Sequence, residues 1–365
     1  MSGIQFDGAD IRISANEHIV RGARKGVPFV TFSSRSRQPI SPIFGGDFFA
    51  RRGIPALHVQ SKWNHWWHTP EMAELAEVIA RLRLGPSVLY GSSMGGYGAL
   101  MFGRRLEAAA IVALSPQAYI LAPLGTFDTR WDEYRPFFSA QFDEEIALRE
   151  QAGLPAWIFV DRQHALDRPH LEILDRVRGQ VGANAWHLID VPYGYHPVSP
   201  ALQKAGILGT LLDDLYAARL PDTDALVRRS QLAYRKDPKS LFNYLRGVGE
   251  DALEHHRAMA HASFESGPAD DHEFLFMSAE VFLKLGEPEL AMTISERSVA
   301  AAEAPAWLAT KHAGIVASVR GADVALRFLR GLPHLNGHPD VLRVMERLER
   351  RGASRPLLNA VGAGP

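Results

Sequence analysis

The chain has 365 residues, 46% hydrophobic and 22% charged, which is an ordinary globular composition able to bury a large core and to form two domains. Its 40 Lys and Arg balance 41 Asp and Glu, so no broad field draws it to nucleic acid or an anionic membrane, and small-molecule or protein partners are expected. There is no cysteine, which excludes disulfides, thiolate chemistry and Cys-based zinc.

The N-terminus lacks a basic region followed by an apolar core. No apolar run approaches the roughly 20 residues needed to span a bilayer. A cytoplasmic location is the expectation.

From the start to about residue 220, short apolar runs alternate with helical patterns, the mark of an α/β fold with a mostly parallel sheet. Strands are predicted at 28–33, 56–60, 87–90, 109–114, 156–160 and 186–191. Helices are predicted at 44–52, 70–83, 95–104, 143–151, 169–181 and 200–220. After the 56–60 strand, Lys62-Trp63-Asn64-His65-Trp66-Trp67-His68-Thr69 gathers three of the seven tryptophans. Trp63 and Trp66 either form a wall for an acyl chain or sugar ring, or anchor the loop in the core. His65 and His68 have no third ligand in view, so no metal is expected, and no cofactor. Thr69-Pro70-Glu71 is a good helix start, with a capping hydroxyl, proline at the first position and an acid at the positive end.

The 87–90 strand runs into Gly91-Ser92-Ser93-Met94-Gly95-Gly96-Tyr97-Gly98. A serine at the apex of a tight strand-to-helix turn sits in a strained conformation, which requires small neighbours on both sides. Gly91 and Gly95 supply them. Gly96 and Gly98 then let the helix approach the sheet, and its N-terminus directs partial positive charge at the serine oxygen. The pattern reads as a nucleophile elbow with Ser93 at its apex and the Met94 amide as an oxyanion donor.

Between the 109–114 and 156–160 strands lies an insertion whose segment 126–138 has the position of a small lid. Its Trp131 and neighbouring aromatics suggest an apolar or ring-bearing substrate. Arg130 or Arg135 is available for a negative group, unless these are solvated charges beside packed aromatics.

A serine hydroxyl needs a base, and the base works best when a carboxylate fixes its tautomer. The base is assigned to His196, in a glycine-containing loop after the 186–191 strand. The acid lies in the loop after 156–160, which holds two aspartates. Asp161 stands at the strand end and Asp167 just before the next helix. Asp167 is favoured because a loop tip reaches towards His196 more easily, with Asp161 as the alternative.

Beyond Pro221 strand-like runs vanish. Two segments, 274–291 and 306–325, each read as helix, glycine turn, and second helix with an early alanine. Gly286 and Gly321, and Ala291 and Ala325, recur at about the helix-pair period. The predicted organisation is a catalytic domain at 1–220, a tetratricopeptide-like helical domain at 221–350 and a loose tail at 351–365. So few repeats bury little surface alone, so they are expected to lean on the first domain, on a partner or on another copy.

On Gly91-Ser92-Ser93-Met94-Gly95-Gly96-Tyr97-Gly98-Ala99-Leu100, residues 1–220 resemble an α/β-hydrolase, with an elbow similar to the esterase-D-like and feruloyl-esterase-like branch. The resemblance implies a mostly parallel sheet with helices on both faces, a Ser93, Asp167, His196 triad and an acyl-enzyme. It also implies a second oxyanion donor in the loop after the 28–33 strand, where the Ser33 and Ser34 amides are the candidates. This loop lacks the His-Gly-Gly run common in esterases. Three functions remain open: a serine esterase, an acyltransferase such as a carbohydrate O-acyltransferase with the same triad, and a non-catalytic scaffold that works through its helical repeats.

Overall fold

The computed structural model describes residues 3–22, 25–139, 141–300 and 304–353. The chain divides into two compact units, Met1–Asp237 and Pro238–Pro365. The change of pattern at Pro221 therefore falls inside the first unit. Residues 354–365 of the expected tail lie outside the described residues.

The first unit is built on eight strands: β1 (Gly3–Asp7), β2 (Ile11–Ala15), β3 (Phe29–Phe32), β4 (Ala56–Ser61), β5 (Val88–Ser92), β6 (Ala110–Leu114), β7 (Ala156–Val160) and β8 (Trp186–Asp190). They form one sheet in the order β1-β2-β4-β3-β5-β6-β7-β8. β1 pairs with β2, and β2 with β4, antiparallel. All later neighbours are parallel. Short apolar runs buried on both faces are what a parallel sheet demands, and β3 to β7 are buried throughout.

Side chains alternate between two cores, as strand geometry requires. Leu89, Ile111, Ala113, Ile158 and Val160 join one core with Leu75, Val78, Leu100, Leu171 and Leu174. Val88, Tyr90, Val112, Trp157 and Phe159 join the other with Phe49, Leu208, Leu211 and Leu215. Helices Met72–Leu82, Met94–Phe102 and Arg168–Val181 thus cover one face, and Gly46–Arg52 and Ile207–Tyr216 the other. Helix Thr223–Ser230 belongs to this unit too, since its Leu226 lies in the second core.

β1 and β2 are additions to the predicted strands. Their turn is fixed by Glu71, whose carboxylate accepts from the amides of Ala9, Asp10 and Ile11 at 2.6, 2.9 and 2.8 Å. Glu71 thus fastens the edge hairpin, and the helix expected from Pro70 begins two residues later, at Met72.

β3 lies between β4 and β5, so the chain reverses its direction of travel across the sheet there. The carboxyl ends of β3 and β5 flank the crevice that such a reversal creates, where open α/β sheets place their ligands.

The second unit is helical: Pro238–Gly247, Glu250–Glu254, Arg257–Glu265, His272–Lys284, Pro288–Val299, Ala306–Arg320, Ala322–Arg330 and Pro339–Ala353. Gly286 and Gly321, at φ +73° and +95°, turn the chain within two successive helical hairpins. Ala291 and Ala325 are fully buried in the returning helices.

Candidate active site

Ser93 closes β5 and precedes helix Met94–Phe102. Its backbone is at φ 54°, ψ −120°, a left-handed region that a side-chain-bearing residue occupies only under constraint. The constraint is visible in the glycines. A Cβ on Gly91 would lie 2.2 Å from the Gly95 carbonyl, and one on Gly95 would lie 2.2 Å from the Phe32 oxygen. The end of β3 and the start of the helix therefore meet backbone to backbone beside the serine. Gly98 answers to another need than the sheet: its missing side chain is replaced by the Trp67 indole, 2.5 Å from where a Cβ would stand.

Ser93 Oγ is 2.9 Å from His196 Nε2, and His196 Nδ1 is 2.6 Å from Asp167 Oδ2. An ionised carboxylate only accepts, so Nδ1 carries the proton and donates to Asp167, leaving Nε2 to accept from the serine hydroxyl. The three groups come from the carboxyl ends of β5, β7 and β8, and form one continuous hydrogen-bonded chain. Ser93 itself is buried, at 6% exposure.

Burial works to raise the Asp167 pKa, but the interactions with His164 and His196 outweigh it and hold the carboxyl well below the usual range. It stays ionised wherever the histidine can act as a base. His164 Nδ1 lies 3.3 Å from Asp167 Oδ1 without forming a well-directed hydrogen bond.

Asp161 serves the same loop differently. Oδ1 accepts from the Gln163 amide and Oδ2 from the Tyr195 amide, both at 2.9 Å. Tyr193 and Tyr195 stand at φ 60° and 64°, so Asp161 holds the strained backbone that presents His196. It does not reach the imidazole in the way Asp167 does.

Among the expected oxyanion donors, Ser33 is corrected: its amide donates to Val59 O at 3.0 Å, extending the β3–β4 ladder, and cannot also face the site. Ser34 differs. Its hydroxyl donates to Ser92 O at 2.9 Å, which fixes the residue against the elbow, while its amide has no protein acceptor among the described contacts. The Met94 amide, at the first position of its helix, is likewise free of a protein acceptor.

The residues expected to touch substrate have partners within the protein. Trp66 is fully buried, with its ring 4.9 Å from that of Trp131, itself 6% exposed. Trp66 Nε1 donates to Gln117 at 3.2 Å, so Trp66 follows the core-anchoring alternative. Trp63 is partly buried and donates to Asp10 Oδ1 at 2.8 Å. Arg130 is not free for a substrate anion, since its guanidinium meets both Asp128 and Asp167. Arg135 is engaged with the carbonyls of Ile120, Gly125 and Asp128, and with Asp132. Arg35 and Arg37 remain exposed on the loop that carries Ser34.

Sequence reasoning missed the buried groups that seat the insertion. Glu144, 5% exposed, accepts from Tyr97 Oη at 2.6 Å and from the Ile120 and Leu121 amides at 2.7 and 2.9 Å. His68 Nε2 lies 2.8 Å from the same Tyr97 oxygen, and its ring stacks on Phe138 and Phe142. His65 accepts from the Trp67 amide at 2.9 Å. Both histidines are thus turned to loop structure, and among the described residues no group of three His, Asp or Glu is placed to hold a metal. No described helix is long and apolar enough to cross a membrane.

No family model and no curated protein matches this sequence. Solved structures do show likeness. The capsule O-acetyltransferase of Neisseria meningitidis serogroup A is 17% identical, covering 57% of this chain and 93% of its own, with a TM-score of 0.43. Esterase 2 of Thermogutta terrifontis is 14% identical, covering 60% of this chain and 97% of its own, also at 0.43. The S-formylglutathione hydrolase of Staphylococcus aureus is 14% identical, covering 63% and 96%, at 0.38. These similarities are distant, and strand order and elbow geometry speak more directly. A mostly parallel sheet of eight strands in this order, with a strained serine between β5 and the helix behind it, gives the unit Met1–Asp237 the α/β-hydrolase fold.

Proposed function

We propose that this chain is a serine-dependent esterase or acyltransferase that works through an acyl-enzyme on Ser93. The single observation that carries the reading is the continuous chain from Ser93 Oγ through His196 to Asp167, at 2.9 and 2.6 Å, on a strained elbow.

Ser93 Oγ attacks an ester carbonyl while His196 Nε2 takes its proton. Asp167 holds the ring in the required tautomer and supports the imidazolium. The negative oxygen of the tetrahedral intermediate is met by the Met94 amide, with the Ser34 amide as the second donor. Each such donor contributes roughly 2.7–4 kcal/mol in a comparable hydrolase case. His196 then gives its proton to the leaving alcohol oxygen as the carbon–oxygen bond breaks. In the second half, His196 deprotonates water or an acceptor alcohol, which attacks the acyl carbonyl and frees Ser93.

The first half is common to hydrolysis and transfer, and the acceptor decides between them. A fluorophosphonate probe and a 4-nitrophenyl ester test the common part: wild type reacts with both, and Ser93→Ala with neither. Adding an alcohol acceptor to the ester assay and weighing acid against new ester then separates the two outcomes. A protein that acts only as a scaffold would leave the probe unbound.

A further inference from the structure

We infer that Arg130 is a positioning residue for Asp167, clamping the carboxylate that orients His196 and tying it to the insertion that follows β6. This rests on the serine acyl-transfer reading above.

Asp167 has two oxygens and only one of them meets His196. Left alone, the other would allow the carboxylate to rotate about its Cβ–Cγ bond and degrade the 2.6 Å contact. Arg130 Nη2 donates to that second oxygen, Oδ1, at 3.1 Å. The guanidinium is itself held: Nε donates to Asp128 Oδ1 at 2.8 Å and Nη2 to Asp128 Oδ2 at 2.7 Å, while the Arg130 amide donates to Asp128 Oδ1 at 3.2 Å.

Asp128 is anchored in turn, at 1% exposure. Its Oδ2 also accepts from Trp131 Nε1 at 3.0 Å and lies 2.9 Å from His170 Nε2. His170 Nδ1 accepts from the Ala118 amide at 3.0 Å, which assigns the proton to Nε2 and makes it the donor to Asp128. The order of support runs from Ala118 through His170, Asp128 and Arg130 to Asp167.

A planar fork with fixed N–H directions can grip one carboxylate bidentately and still reach a second, whereas an ammonium on a flexible stem cannot hold both directions at once. For Arg130, burial lowers the pKa but the pairing with Asp128 and Asp167 more than reverses this, so the clamp stays charged. The charged and titratable groups around the cluster are His196, His164 and Arg130 facing Asp167, Asp128 and Asp167 facing Arg130, and His170 facing Asp128.

The test is the fluorophosphonate labelling rate of the full chain as a function of pH, for wild type, Arg130→Met, Arg130→Lys, Asp167→Asn and the double variant Arg130→Met/Asp167→Asn. Arg130→Met is expected to slow labelling by about 10²-fold, the scale of a misplaced catalytic group. It should also move the acid limb to higher pH, because removing a nearby cation makes the imidazolium easier to form. In the Asp167→Asn background the same change should cost no more than about twofold, since the group it positions is already disabled. Arg130→Lys should keep the acid limb near wild type and recover only part of the rate.

A wild-type rate in Arg130→Met, an equal loss in both backgrounds, or full recovery in Arg130→Lys would each overturn the inference. If Arg130→Met does not fold, Arg130→Lys and its pH profile decide alone. Undiminished labelling of Ser93→Ala is a different result, since it would remove the underlying reading rather than the clamp.

Discussion

At the scale of the residue, the two aspartates of the β7 loop show how one loop divides two tasks. Asp167 meets the ring of His196, and Asp161 meets the backbone that carries that ring. For Asp161, burial pushes the carboxyl pKa up, opposed by the Tyr195 and Gln163 amides. Asp167→Asn is expected to reduce kcat by about 10³–10⁴-fold, the scale for losing the correct histidine tautomer. Asp161→Asn, which keeps one acceptor oxygen but sets an NH₂ against a backbone N–H, should lower the melting temperature while kcat falls by no more than about tenfold. Steady-state ester hydrolysis and a thermal melt on each variant check this, and the reverse order of kcat losses would exchange the two roles.

At the scale of the element, most of the framework was legible because it follows from periodicity: strands β3 to β8 coincide with apolar runs and most of their helices with helical stripes, while the helix expected over 200–220 is broken into Ser199–Lys204 and Ile207–Tyr216 at Gly206, whose φ is +67°. The hairpin of β1 and β2 was not legible, because its turn is set by Glu71, about 60 positions away. The elbow was legible because its glycines answer to local backbone clashes. Which of the adjacent Ser33 and Ser34 amides is engaged was not legible, because it depends on where the β3–β4 ladder stops. Arg130 and the tryptophans could not be placed, since sequence cannot tell a free guanidinium or indole from one with a distant partner.

Helix Thr223–Ser230 shows the same limit at the unit boundary. Its pattern resembles that of the helices beyond Pro238, yet Leu226 packs into the second core, and Trp157 Nε1 donates to Thr223 Oγ1 at 3.2 Å. A chain ending after Asp237 is therefore expected to fold and to label at Ser93. One ending after Leu220 exposes the site of Leu226, whose burial alone contributes about 1.5–3 kcal/mol. It should melt lower or fail to fold, and equal melting temperatures for the two truncations would contradict the boundary.

At the scale of the whole molecule, acid stability is governed by histidines buried in the neutral form. Burial pushes His58, His65 and His312 down to about 4. His65 and His312 also have Nδ1 engaged, with the Trp67 amide at 2.9 Å and with Ser295 Oγ at 2.7 Å. Between about pH 6.5 and pH 4 the unfolded chain binds more protons than the folded one, so stability must fall as pH falls through that window. Below it, the depressed carboxyls of Asp167 and Asp128 remove further stability as they protonate. Thermal melts from pH 7.5 to 4 should show a steady decline that starts near pH 6.5. Replacing His65 by Gln should shallow the slope, and a flat profile down to pH 4.5 would contradict this account.

The central claim is that Ser93 is a nucleophile activated by His196, and covalent labelling tests it most directly. Wild-type protein treated with a fluorophosphonate and mapped by mass spectrometry should carry one adduct, on the peptide containing Ser93. The adduct should be absent in Ser93→Ala and His196→Ala and slowed in Asp167→Asn. An unmodified wild-type protein, or an adduct that persists after Ser93→Ala, would contradict it.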